Sequence, residues 1–152
     1  MADFNNLARD FGVKRNFSIS PAKEKEVEGF EKQLVPPCVL PIDYRKFLLK
    51  YNGGSFTECV IADTAIGPVV AAQFYSLLED DEYYIVRARN NLLKYVSENY
   101  VPVAVDPGGS YFLIDLSLSR CGAVDFWDHE TGQFTNIADS FSNFIARLEV
   151  DL

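Results

Sequence analysis

The sequence predicts an α+β domain with a mainly antiparallel sheet flanked by helices, and three observations carry that prediction. Apolar residues recur at spacings of three and four near the start of the chain and again close to its end, the mark of helices with one buried face. Between them lie short runs rich in β-branched and aromatic residues, separated by Pro and Gly turns, and strands at such short spacing pair antiparallel. The chain has 152 residues, 48% hydrophobic and 14% aromatic, which is enough apolar surface for one core and argues against disorder.

Residues 1–18 read as an N-terminal extension, polar and mixed, with one short helix over Phe4 to Phe11; residues 19–152 read as the folded domain. Ser20 followed by Pro21 signals a helix start, a hydroxyl cap and a proline where no N–H is needed. The helix is expected to run to about Val35 and to bury Val27, Phe30 and Leu34. After Pro36 and Pro37, Pro41 opens a second helix whose stripe of Tyr44, Phe47, Leu48 and Tyr51 is the strongest in the sequence. Asn52, Gly53 and Gly54 end it, being residues that enter left-handed backbone cheaply.

The segments FTECVIA and PVVAAQFYSLL then read as strands. A third helix is expected from about Asp81 to Glu98, with Ile85, Ala88, Leu92 and Val96 on one side and the acidic run Glu79 to Glu82 at its positive end. The last third reads as a meander: VPVAVD, a Pro-Gly-Gly turn, SYFLIDL, a polar turn through Arg120, GAVDFWDHE, a Thr-Gly turn and QFTNIA. Asp139-Ser140 caps a closing helix carrying Phe141, Phe144, Ile145 and Leu148.

Charge is unevenly spread. Up to Lys50 there are nine basic and seven acidic residues, a net of +2; from Tyr51 onward five basic face fifteen acidic, a net of −10. The whole-chain −8 works against the phosphate-neutralising surface of a nucleic-acid binder. No run of about 18 apolar residues occurs and the start of the chain lacks a secretory layout, so a cytoplasmic protein without membrane or nucleic-acid partners is expected. Cys38, Cys59 and Cys121 are odd in number, far apart and without a C-x-x-C, which indicates neither a disulfide framework nor a zinc knuckle and fits a reducing compartment.

Enzyme motifs are sparse: there is no G-x-G-x-x-G, P-loop or G-x-S-x-G. His129 is the sole histidine, and its neighbours Asp128 and Glu130 point to alternating sides of an extended segment, so they converge poorly on a metal. Neither a metal nor a cofactor is expected. Asp106, Asp115 and Asp125 suggest a hydrolase with paired carboxylates only if they share one deep pocket. The plainer reading makes Asp106 a turn residue bonding the backbone that follows it, with Asp115 and Asp125 on the outward face of alternating strands. Trp127 reads as core filler or as an interface anchor.

The segment LPIDYRKFLLKYNGG (Leu40 to Gly54) resembles the signature helix of the SUKH superfamily, the Smi/Knr-like proteins, with its Leu-Pro, acidic residue, Tyr, Phe-Leu pair and terminal Asn-Gly-Gly. VPVAVDPGGSYFLIDL and GAVDFWDHE resemble that family's central strands, and IADSFSNFIARL is similar to its closing helix. The resemblance implies a SUKH-like α+β fold without a catalytic constellation. It also implies a protein-interaction role: most bacterial members look like immunity proteins of polymorphic toxin systems, each neutralising a cognate toxin domain, often a nuclease or deaminase. Eukaryotic members are regulatory or scaffold modules with no toxin partner, and that is the alternative.

On the immunity reading the anionic part of the chain is steered to a cationic toxin cleft. The expected contact residues are Glu79, Asp80, Asp81 and Glu82, then Asp106, Asp125, Trp127, Asp128 and Glu130 near the strand ends. The chain itself is expected to be a monomer or a weak homodimer.

Overall fold

In the computed structural model, residues 13–14, 21–34 and 39–150 are described. The helix expected over Phe4 to Phe11 and the Ser20 cap lie outside them. Helix α1 spans Glu24–Glu31 and buries Val27 and Phe30. It starts later than the Ser-Pro signal suggests because the Glu26 carboxylate accepts the Lys23 backbone N–H at 2.9 Å and closes the first turn there.

Helix α2, Ile42–Lys50, follows Pro41 and buries Tyr44, Phe47 and Leu48 as its stripe predicts. Phe47 sits among rings, 5.2 Å from both Phe74 and Phe141 between centroids. Its polar side locks neighbours in place. The Arg45 guanidinium reaches Glu24 at 2.7 Å and Glu31 at 3.0 Å, joining α2 to α1. Asp43 accepts the backbone N–H of Ser142 at 2.8 Å and its hydroxyl at 2.9 Å, joining α2 to the last helix.

The end of α2 must turn sharply into the sheet. Asn52 takes a left-handed φ of 51°, and its side-chain oxygen accepts the Leu77 N–H at 2.8 Å. Gly53 follows at φ 81°, where a Cβ would lie 2.4 Å from the Tyr75 carbonyl oxygen. Only glycine fits that approach.

Six strands then form an antiparallel meander in sequence order: β2 (Gly54–Ile61), β3 (Val69–Phe74), β4 (Tyr100–Val105), β5 (Tyr111–Asp115), β6 (Val124–Trp127) and β7 (Phe134–Ala138). Two short strands, β1 (Val13–Lys14) and β8 (Glu149–Val150), pair with β2, so part of the N-terminal extension enters the sheet. Helix α3 is Ile85–Leu92 and α4 is Phe141–Ala146. The Ser140 hydroxyl caps α4 by accepting the Asn143 N–H at 3.0 Å, as the Asp-Ser pair predicts.

The sheet is apolar on both faces, and this positions the site. One face, with Phe112, Ile114, Val124 and Phe126, packs with α1, α2 and α4 into the main core. The other carries Leu113 and Trp127 beneath Leu92 and Val96, a second small core under the end of α3 and the turn after it.

Two expectations are corrected. The third helix is eight residues long, not eighteen, and no acidic residue lies in its first turn. The acidic run instead forms a loop before it, in which Arg87 binds the backbone carbonyls of Glu79 and Asp81 at 3.2 and 3.3 Å and Asp81 turns inward. Cys59 is a buried thiol, pushed up to about 12 by burial, but Cys121, on the surface, is disulfide-bonded.

Candidate partner-binding cleft

Register places Tyr111, Trp127 and Phe134 opposite one another on β5, β6 and β7, all on the outer face at one end of the sheet. The backbone after α3 passes over them and sets the Tyr95 ring on Trp127, stacked at 6.1 Å. Between these rings and the hairpin tips opens a cleft of about 580 Å³. Asn91, Leu92 and Tyr95 form one wall, Tyr111 and Trp127 the floor, and Gly109 with His129 to Gly132 the other wall.

Two hairpins cooperate to hold that second wall. In the β4–β5 turn the Asp106 carboxylate accepts the Ser110 N–H at 2.7 Å, the turn role read from the sequence. The Ser110 hydroxyl in turn accepts the His129 backbone N–H at 3.3 Å and lies 2.9 Å from the ring Nδ1. The imidazole packs over Gly109, whose φ of 96° is backbone that favours glycine. Asp128 accepts the Glu130 N–H at 2.9 Å, shaping the β6–β7 turn and leaving Glu130 exposed on the cleft wall.

The ring contacts continue beyond the cleft. Tyr75 stacks on Tyr111 at 6.2 Å and meets Tyr83 at 6.0 Å, while Phe134 stacks on Tyr100 at 5.1 Å. Tyr95 is 70% exposed and Phe134 44%. Trp127 is 6% exposed, so it is core filler by burial and cleft floor by position.

The structure brings together four of the expected contact residues, Asp106, Trp127, Asp128 and Glu130, at the two hairpin tips. Glu79, Asp80 and Glu82 are exposed on the loop at the opposite end of α3 from Asn91 and Leu92, about 12 Å away along the helix axis. Two expected residues are internal instead. Asp81 is buried and accepts the Ser76 hydroxyl at 2.7 Å. Asp125 is 2% exposed and binds Arg120 through both oxygens, at 2.7 and 2.8 Å, with Asn136 at 3.1 Å.

Asp115 is likewise buried, not outward and solvated, and meets the same Arg120 at 3.0 Å. Alternation puts both aspartates on the outer face as read, but that face is covered here. Burial raises the Asp125 carboxyl, yet the hydrogen bonds from Arg120 and Asn136 and the Arg120 charge outweigh it and hold the group below its ordinary range. Burial and the two carboxylates push Tyr100, whose hydroxyl donates to Asp125 at 3.3 Å, up to about 12. Carboxylates saturated in this way by a guanidinium are poor proton acceptors, and Asp106 is spent on its own turn. Asp115 and Asp125 meet at Arg120, and Asp106 lies apart from them in the β4–β5 turn. Among the described residues, no three His, Cys, Asp or Glu side chains gather as metal ligands, and no helix is long and apolar enough to cross a membrane.

Sequence reasoning missed Tyr95, Tyr111 and Phe134. Their signal is faint but present: Tyr111, Leu113 and Asp115 alternate on one strand face, an apolar-polar mix typical of a face only partly covered.

Comparison with known proteins agrees with this architecture. The SPbeta prophage-derived uncharacterized protein YokK of Bacillus subtilis (strain 168) is 28% identical over 130 residues, covering 72% of this chain. The match spans 66% of that protein's own length, just under two thirds. Residues 21–147, from the start of α1 through α4, match the SMI1 / KNR4 family (SUKH-1). With its signature helix, meander and closing helix in that order, the chain belongs to the SMI1/KNR4 family of the SUKH superfamily.

Proposed function

We propose that the protein is a bacterial immunity protein that binds a cognate toxin domain, of nuclease or deaminase type, and occludes its active site. The observation that carries this reading is the cleft end of the sheet. Large rings are exposed there beside Asp128 and Glu130, in a part of the chain with a net charge of −10. Aromatic anchors within a charged rim are the composition of binding hot spots, and the sign suits a toxin whose cleft is cationic for phosphates.

Co-expression with the toxin domain encoded beside its gene tests the reading. Restored growth and co-purification support it, and toxicity undiminished by this protein refutes it. Because charge steers encounter, raising ionic strength slows association of the pair far more than dissociation; an association rate indifferent to salt removes the steering argument. The reading places the protein in the cytoplasm, where a disulfide as exposed as that of Cys121 is kept reduced.

A further inference from the structure

We propose that the cleft is the anchor site for one cationic side chain, an arginine or lysine, projecting from the partner; this deepens the function proposed above and rests on it. Three features point to that occupant. The lining includes the aromatic side chains of Tyr95, Tyr111 and Trp127, and an aromatic ring attracts a cation. Its one carboxylate, Glu130, stands on the wall, and no lysine or arginine lines the space. Its volume of about 580 Å³ admits a guanidinium with its aliphatic stem, the stem lying along Leu92 and the ring faces.

The walls are preorganised. Tyr95 already lies on Trp127, and Ser110 fixes the imidazole of His129 from the neighbouring hairpin, so an entering side chain orders little that is not ordered already. Asn91 and Thr131, exposed on facing walls, provide side-chain oxygens for the remaining N–H groups of a guanidinium.

Trp127 is the only tryptophan in the chain and forms the cleft floor, so its fluorescence reports occupancy without a label. The probes are N-acetyl-arginine amide and N-acetyl-citrulline amide, which share a shape and differ in charge. Titration of the full chain is expected to give a saturable emission change with the arginine compound and one about tenfold weaker or absent with citrulline. Glu130→Gln weakens the arginine response about three- to tenfold, and Tyr95→Ala does so by a similar factor. Tyr95 and Glu130 are both exposed, so folding is spared, and an unchanged urea midpoint verifies it.

Equal responses to the two probes, no saturable response, or an arginine response untouched by both substitutions overturns the proposal. The immunity reading fails separately. If the wild-type protein rescues growth and the Tyr95→Ala/Glu130→Gln double variant rescues equally, the cleft is not the anchor although the function stands. If arginine saturates the cleft but the wild-type protein does not rescue, the function is wrong and the cation site stands.

Discussion

Arg120 holds two buried carboxylates, and removing it isolates the electrostatics of the outer face. One of its nitrogens contacts Asp115 at 3.0 Å and Asp125 at 2.7 Å, so the two acceptor oxygens lie within about 6 Å of each other. Both carboxylates are buried in the wild type, at 6% and 2% side-chain exposure, and Arg120→Ala removes their counter-ion. Repulsion between two charges at that separation is about 3 kcal/mol at an effective dielectric of 20. Breaking a buried pair costs about 3–5 kcal/mol, and because Arg120 is itself 39% exposed the lower end applies. We expect a loss of about 3 kcal/mol at pH 7, read from urea unfolding followed by Trp127 fluorescence.

The pH dependence supplies the sharper check. In the wild type the folded Asp125 carboxyl is depressed, so its stabilisation is present above the unfolded value near 4 and is lost as pH falls through the folded value. In Arg120→Ala, burial and the neighbouring carboxylate raise the folded Asp125 value, so the variant loses stability as pH rises through about 4. The two stability curves therefore approach each other at pH 3 and separate toward pH 7. Arg120→Ala/Asp125→Asn should regain part of the loss at pH 7 by removing one of the opposed charges. A cost below about 1 kcal/mol at pH 7, or one equal at pH 3 and pH 7, refutes the reasoning.

Gly53→Ala puts a methyl group 2.4 Å from the Tyr75 carbonyl oxygen at φ 81°, and we expect a loss of at least about 3 kcal/mol in urea unfolding. The control is Gly29→Ala, within α1 and with nothing within 4 Å, which should gain about 0.5–1 kcal/mol from helix propensity. Asp43→Ala frees the Ser142 N–H and hydroxyl and should cost about 2 kcal/mol, whereas Asp43→Asn keeps an acceptor oxygen and should cost about half that. Thiols trapped with iodoacetamide in intact producing cells, then mapped by mass spectrometry, should show Cys121 alkylated if the protein works in the cytoplasm; Cys121 protected as a disulfide argues for an oxidising compartment.

Much of the fold was legible because its signals are local. The stripe Tyr44, Phe47, Leu48 and Tyr51, the Ser140 cap, the Asn-Gly-Gly exit and the Asp106 turn each announce themselves within a few residues, and each is found as read. The extent of α3 was not legible. Ile85, Ala88, Leu92 and Val96 do fall on one side and all four are buried, but helical geometry ends at Leu92. Spacing reports which side chains go inside, and a turn that follows a helix closely can preserve that spacing after the hydrogen-bond ladder has stopped. The cleft was the least legible feature, since it depends on register between strands and on a segment crossing the sheet, neither of which is a local property.

Alternation along a strand says which residues share a face and nothing about whether another element covers it. That gap explains how Asp115 and Asp125 were assigned the correct face and the wrong environment, and it divides the charge argument in two. Among the described acidic residues after Lys50, Asp81, Asp115 and Asp125 are internal, and one of the five cations of that part, Arg120, is committed to two of them. Long-range attraction depends on the summed charge within a screening length of about 8 Å and still counts buried groups near the surface. Contact depends on the carboxylates a partner can touch, and of the expected contact residues the exposed or half-exposed ones include Glu130 and Asp128 at the cleft and Glu79, Asp80 and Glu82 on the loop before α3. Asp125→Asn should therefore act on binding through folding stability, lowering the amount of competent protein. Glu130→Gln should leave stability alone and act on the rate at which the complex comes apart. The same change of one formal charge, made at two ends of β6 and the turn that follows it, then separates an acid that builds the surface from an acid that serves it.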